Sequence, residues 1–393
     1  MLKNRFLFFI FLLFTIFSIH GQRLSEDARI GVLTCGPGNE LYAAFGHTAI
    51  HVCDTNKLVD IVFNYGTFDF HTPNFYMKFS QGRLPYMLSV SSFNDFIRSY
   101  QYEGRWVVEQ ELDLSYEEKE YIYDLLITNF HPENRYYAYD FFMDNCATRV
   151  RDMVEASLIE RTAFQEYFPE QNISFRDLIY PYLESMTWWR LGIDLALGMR
   201  CDKPISNLQY MFLPDELMNQ LDTIKTKNES VMDNIGYHSD KLVASKTLLL
   251  EETRNLPSKG IPPIYVTVLL CLIVVILTVI EHKKKIYFKY VDIFLFGLFA
   301  VLSLLIMYLW FCSDHHATKF NFNLLWANPL LIYILIRLQK SHKVILYIML
   351  ACIILPLFFF WGLPQYFNIA SFPLMLLLAI RIGSLIKQKR ELP

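Results

Sequence analysis

The chain has 393 residues, 53% of them hydrophobic and 16% aromatic, and a formal net charge of −3. A charge so near balance excludes a nucleic-acid surface built on excess Lys and Arg. The mean hydropathy of +0.24 averages two unlike parts: residues 22 to about 260 have the mixed composition of a domain with its own core, and residues 261–386 are apolar runs with short charged breaks.

The first 21 residues read as an export signal. Lys3 and Arg5 precede a continuous apolar stretch from Phe6 to Phe17, and Ser18 to Gly21 offers a cleavage region. An uncleaved anchor is the alternative, and both place the following domain outside the cytoplasm. In that oxidising setting Cys35 and Cys53 could pair, although nothing in the sequence fixes the connectivity. No CxxC or Cys/His spacing suggests zinc, and neither a metal nor a cofactor is expected.

Residues 29–34 read as a strand, followed by the turn Cys35-Gly-Pro-Gly-Asn-Glu40, whose glycines could expose backbone N–H groups or simply turn the chain. Leu41 to Val52 ends in a strand that puts His47, Ala49 and His51 on one face. Gly46 allows close backbone approach just before His47, which makes His47 the best general-base candidate, with His51 second. Asp54 to Lys57 reads as a hairpin turn into a strand over 58–65. Asn64, near its end, could reach across and orient the base, or only cap the turn at Gly66. Phe75, Tyr76 and Phe79 suggest a short helix. Gly82-Arg83-Leu-Pro-Tyr86 leads to a strand through Val90, with Arg83 free to meet an anionic headgroup or a surface carboxylate. Residues 95–102 and 105–114 are expected to continue the sheet. Ser115 with Glu118 forms a capping box for a helix to about residue 129.

A dense aromatic stretch from Tyr136 to Phe142 leads into Asp140-Phe-Phe-Met-Asp-Asn-Cys-Ala-Thr-Arg149. Cys146 begins a helical run in which Val150, Met153 and Val154 share its face. The positive end of a helix favours thiolate, so Cys146 with a nearby histidine has the makings of a nucleophile. A buried structural or disulfide cysteine is the alternative. Further on, residues 174–186 read as a helix, and Trp188 to Leu197 suggests an apolar helix near a membrane or in the core. Lys241 to Thr253 is expected to form a last helix before a Pro-rich linker.

Five spans follow, over 264–280, 291–311, 322–336, 344–361 and 367–385. Basic clusters at Lys283, Lys284, Lys285 and Lys289, at Arg337, Lys340 and Lys343, and at Lys387, Lys389 and Arg390 alternate as the positive-inside rule requires if all three are cytoplasmic. Residues 22–260 are then outside, in agreement with the export signal. The polar loop 312–323, with His316, Asn321 and Asn323, also lies outside, and Trp326 follows it. This segment is expected to orient a substrate, to dock the exported domain, or only to join two spans. No span shows a chain of charges of the kind an ion pathway needs.

A strand histidine and a helix-start cysteine are the two parts of a papain-like thiol site, here in reversed order, as in circularly permuted relatives. The segments Gly46-His-Thr48, Asn64-Tyr-Gly-Thr-Phe68, Asp144-Asn-Cys-Ala-Thr-Arg149 and Asn321-Phe-Asn-Leu-Leu-Trp326, taken in this order with the membrane tail, resemble the Lnb N-terminal periplasmic domain family and the Lnb-type lipoprotein N-acyltransferases of Bacteroidota. The resemblance implies an α+β fold: a circularly permuted papain-like (NlpC/P60-like) thiol domain followed by an all-α bundle of about five transmembrane helices. It implies a signal peptide over 1–21, a catalytic domain over 22–200, a helical extension and linker over 201–260, a transmembrane domain over 261–386 and a cytoplasmic basic tail over 387–393. The implied reaction moves a fatty acyl group from a diacylglyceryl lipid, on a diacylated lipoprotein or a phospholipid, to the free amine of an N-terminal cysteine.

On this reading Cys146 and His47 carry the chemistry and Asn64 is the spatial candidate for a third residue. Asn145, His51, Arg83, Tyr86, Arg149, His316, Asn321, Asn323 and Trp326 are supporting or substrate-binding candidates. Competing readings are a phospholipase, a cell-wall amidase or a non-enzymatic membrane scaffold. The expected location is the bacterial inner membrane, with the catalytic domain periplasmic.

Overall fold

The computed structural model describes residues 23–158, 172–224, 241–255 and 259–391. The expected signal peptide and the end of the basic tail lie outside them. Among the described residues a β-rich N-terminal part precedes five long apolar helices.

Seven antiparallel strands form one sheet in the order β6-β4-β3-β2-β1-β5-β7. They are β1 (Arg29–Cys35), β2 (His47–Asp54), β3 (Val59–Thr67), β4 (Pro85–Ser92), β5 (Val107–Leu112), β6 (Tyr136–Ala138) and β7 (Val243–Leu250). Alternation along the strands divides the core in two. Ile30, Val32, Ile50, Val52 and Phe63 face the helices Tyr116–Phe130, Cys146–Ser157 and Pro214–Thr223. Leu33, Ala49 and Val62 face the helix Phe93–Glu103 on the other side.

That helix corrects the expectation of a strand over 95–102. The Ser92 side chain accepts from the Asp95 N–H at its start, and Gly104 ends it in a left-handed conformation. Phe93, Phe96, Ile97 and Tyr100 recur at helical spacing and cover the second face. The opposite error occurs at 241–253, where β7 pairs with β5. A segment taken for a last helix thus covers the β5 edge as the outermost strand of the sheet. The helix expected over 174–186 is a short helix, Phe175–Ile179, broken before Pro181. All seven cysteines are free. Cys35 lies opposite His47 and Cys53 opposite Arg29, at the two ends of the β1–β2 pair, which separates the thiols expected to bond.

The five membrane helices cover Pro263–Lys284, Lys289–Phe311, Phe322–Lys340, Lys343–Gly362 and Ser371–Gln388. The third is regular only over Leu330–Arg337, because Asn328-Pro329 interrupts it. The spans are also less free of charge than the sequence suggests. Arg381 is fully buried between Glu281 and Asp292, at 2.6 Å from each. These three residues tie the first, second and fifth helices together near the ends that carry the basic clusters.

Every hydrogen bond named below between the two parts lies at the opposite ends of the spans. Arg83 forms a two-pronged ion pair with Asp314 (2.7 Å), Ser80 Oγ meets the Tyr308 hydroxyl (3.0 Å) and His315 Nε2 contacts the Phe79 carbonyl (3.0 Å). The helix Thr187–Ala196 lies on the bundle rather than inside the sheet domain, with Trp188 and Trp189 more than half exposed at its start. Its far end is held by a buried polar hub. Asn321 Nδ2 donates to the Leu195 and Ala196 carbonyls, and Asn323 Nδ2 to that of Asp194. The Asp194 carboxylate accepts from Arg176 (2.6 Å), Tyr180 (2.9 Å) and Asn368 (2.7 Å).

Candidate active site

The thiol is placed by a helix start and a break in the sheet. Asn145 caps the helix: its Oδ1 accepts from the Thr148 N–H, and the Thr148 hydroxyl accepts from the Asn145 N–H. The N–H groups of Cys146 and Ala147, which have no partner inside the helix, turn instead to the Cys146 sulfur. A third N–H reaches the same sulfur from Thr48 of β2. That donor is available because the β2–β3 ladder begins only at Ile50 and Phe63, while β3 bulges between Asn64 and Thr67. The strands therefore part at the level of His47, and the sulfur lies in the opening. Gly66 completes the bulge at φ +85°, and a Cβ there would touch Cys146 Cβ at 3.7 Å.

His47 lies at the start of β2, one residue from the Thr48 N–H that holds the sulfur. Its Nε2 faces Asn64 Oδ1 at 3.4 Å, a loose contact, and Asn64 Nδ2 is anchored on the Val62 carbonyl. Burial, then the positive charge of Arg105, pushes the His47 pKa down to about 4 against the opposing Asn64 contact. Burial also raises the Cys146 pKa, only partly offset by the three N–H groups and Arg105. At neutral pH the His47 imidazole and the Cys146 thiol are thus both uncharged.

Arg105 is a participant the sequence reading missed. It is 5% exposed, donates from Nε to the Gly36 carbonyl (2.7 Å), pairs with Glu103 and lies over the Tyr100 ring. The Gly36 N–H and the Gly38 N–H are both taken by carbonyls, so the two glycines shape the Arg105 site and do not themselves present N–H groups to a ligand. A groove of about 390 Å³ opens on the His47 side, lined by Asn64, Ser89, Ser91, Asp95 and Tyr100 among others. Tyr139 approaches the Gly66 position at 3.5 Å on the Cys146 side and stacks on Tyr86 at 4.3 Å.

Family models match two stretches that together cover most of the chain. The Lnb N-terminal periplasmic domain matches residues 23–177, and the Lnb transmembrane domain matches residues 255–391. The chain belongs to the Lnb family. No curated protein and no solved structure matches it. As an Lnb protein it is a lipoprotein N-acyltransferase, a cysteine-dependent enzyme of the inner membrane whose catalytic domain is periplasmic.

Several residues named as supporting groups have other work in this Lnb protein. Both amide hydrogens of Asn145 are donated, to the Phe141 and Phe212 carbonyls at 2.8 Å, so it holds the cysteine turn and has none left for an oxyanion. Arg149 clamps Asp144 with two hydrogen bonds and lies 3.8 Å over the Tyr137 ring. His51 sits at the far end of β2, between Glu109 (2.6 Å) and Asp60 (2.8 Å), stacked on Phe93. Its Nε2, Cys53 and Asp60 come within 4.8 Å of one another, but both imidazole nitrogens are already engaged by carboxylates. Arg83 meets Asp314 rather than a headgroup. Asn321, Asn323 and Trp326 are buried in the docking hub, where the Trp326 indole N–H donates to Asn323 Oδ1 at 3.0 Å. His316 is exposed beside that hub. The loop 312–323 thus docks the domain, one of the roles expected for it. Of the supporting candidates, Tyr86 is the one whose stacking partner borders the thiol.

Proposed function

We propose that Cys146 is the acyl carrier of this enzyme, with His47 as its base and Asn64 as the group that orients the base. The observation that carries this is the convergence of a helix-start thiol and three N–H groups at the strand opening beside His47. The domain is read as a circularly permuted papain-like fold, in which the histidine strand precedes the cysteine helix. This reading is supported by the Asn64–Nε2 contact.

In the first half-reaction His47 takes the thiol proton as sulfur attacks the ester carbonyl. A C–S bond forms, the ester C–O bond breaks, and the imidazolium proton goes to the departing lyso-lipid alkoxide. The Cys146 N–H, one of the helix-start donors with no partner inside the helix, and the field of Arg105 stabilise the oxyanion. In the second half-reaction the α-amine of a lipid-modified N-terminal cysteine attacks the thioester. A C–N bond forms, the C–S bond breaks, and an amine proton passes through His47 to the thiolate. The acyl donor is a diacylglyceryl lipid, probed first on the lipoprotein itself. The polar groove beside His47 suits the peptide that carries the amine.

The test is mass spectrometry of a reporter lipoprotein N-terminus. Cells carrying the wild-type enzyme should yield an N-acylated cysteine, and cells carrying Cys146→Ser a free amine. An unchanged N-terminus in both would overturn the proposal.

A further inference from the structure

A row of aromatic rings connects the bundle's outer rim to the thiol. The short helix Phe75–Ser80 sits at the outer end of the second membrane helix, fixed by Ser80–Tyr308 and by the Asp314 N–H donating to the Gln81 carbonyl. Its exposed side bears Tyr76 (82% exposed), Met77 (61%) and Phe79 (51%), with Phe70 (61%) beside it. Apolar groups this exposed, rigidly attached beside the last turn of a membrane helix, are where an interfacial segment meets lipid. Trp310 and Phe311 on that turn supply the aromatic belt expected at the same level.

From this helix the rings continue inward. Phe79 lies 6.2 Å from Phe75, Phe75 5.8 Å from Phe68, Phe68 5.3 Å from Tyr86 and Tyr86 4.3 Å from Tyr139. Tyr139 and Cys146 then both border Gly66, at 3.5 and 3.7 Å from the position of its absent Cβ. Burial deepens along the row, from the exposed Phe79 through the half-buried Phe75, Phe68 and Tyr86. A row of that kind offers a hydrocarbon chain continuous contact from the membrane surface to the sulfur, on the side away from the polar groove.

We infer that the helix Phe75–Ser80 beds in the outer leaflet of the inner membrane and that the Phe79–Phe75–Phe68–Tyr86–Tyr139 row is the track along which a bilayer lipid's acyl chain reaches Cys146. The track half of this inference rests on the acyl-transfer reading; the membrane contact does not. Donor and acceptor then approach the sulfur from two chemically different sides, which suits a two-step transfer.

The test uses the full chain in phospholipid nanodiscs, with two readouts. A photoreactive benzophenone side chain is placed at Tyr76, at Phe79 or at Leu58, the last 93% exposed at the far end of the β2–β3 hairpin. Lipid adducts are expected from the first two positions and not from Leu58. Equal labelling at all three, or none at Tyr76 and Phe79, overturns the membrane contact. The second readout is Cys146 acylation in the variant Tyr76→Ser/Met77→Ser/Phe79→Ser. Acylation from a bilayer diacyl lipid should fall about tenfold or more, and acylation from a water-soluble short-chain aryl ester should stay within about twofold. Equal losses, or no loss, overturn the track. If wild-type Cys146 is acylated by neither ester, the acyl-transfer chemistry fails, and the adducts still decide the membrane contact.

Discussion

The two ends of β2 carry a histidine each, on the same face of the same strand, and the surroundings give them opposite character. At one end His47 is buried beside a cation, Arg105, with an amide as its hydrogen-bond partner, and its pKa falls to about 4. At the other end burial also disfavours the charged ring of His51, but the hydrogen bonds and charges of Glu109 and Asp60 outweigh it and the net direction is up. One imidazole is pushed toward its neutral form; the other is pushed toward its charged form and ties β3 to β5 through its two carboxylate partners. Residue type and strand position, which are identical in period, do not separate the two. The neighbours contributed by β3 and β5 do.

Breaking the catalytic end should have the largest effect. Cys146→Ser is expected to abolish thioester formation, and His47→Ala to lower the acylation rate about 10²- to 10⁴-fold, read by single-turnover labelling with a radioactive acyl donor. Asn64→Ala, which frees the ring angle, should cost up to about a hundredfold in the same assay. His51→Gln should leave that rate near wild type and lower the melting temperature instead.

The docking hub gives a change of similar weight in stability. Asp194→Ala leaves Arg176 with part of its partners at a fully buried site, which is expected to cost about 3–5 kcal/mol in detergent unfolding. Arg83→Ala, at a pair more than half exposed on both sides, should leave the unfolding midpoint close to wild type.

Titration sharpens the comparison of the two histidines. His47 binds its proton less readily folded than unfolded, so its contribution to stability is complete above pH 6.5 and is lost as the pH falls toward 4. His51 has the reverse sign: its contribution is complete below pH 6.5 and is lost as the pH rises through its raised folded value. Melting curves of His47→Gln should therefore lose part of the acid slope and those of His51→Gln part of the alkaline slope. The acylation rate of the free enzyme should keep its base active well below pH 6, since neutral His47 persists down to about 4.

What could be read in the sequence follows a physical pattern. The export side, the five spans and the helix cap at Ser115 rest on local signals: runs of apolar residues, basic clusters, Ser115 with Glu118. His47, Asn64 and Cys146 could be singled out because a glycine, a strand end and a helix start mark them within a few residues. The cap at Ser92 and Asp95 was equally local, and its neglect turned a helix into an expected strand. Arg105 was not readable, because nothing adjacent to an arginine announces that it will be buried over Tyr100 beside a thiol about forty residues away. The same is true of Asn321 and Asn323, whose partners lie on a helix more than a hundred positions earlier.

The buried Glu281–Arg381–Asp292 cluster has a consequence for how the bundle is assembled. The two carboxylates belong to the first and second membrane helices, and the only cation between them arrives on the fifth. During synthesis the first hairpin enters the bilayer with two acids that have no cation among the cluster's own residues, at a depth where an isolated charge is costly. The last helix to be made thus acts as the bolt that locks the first two. A chain cut short before Arg381 would keep both carboxylates of the first hairpin without their guanidinium partner, and the first and second helices would lose the side chain that ties them to the fifth.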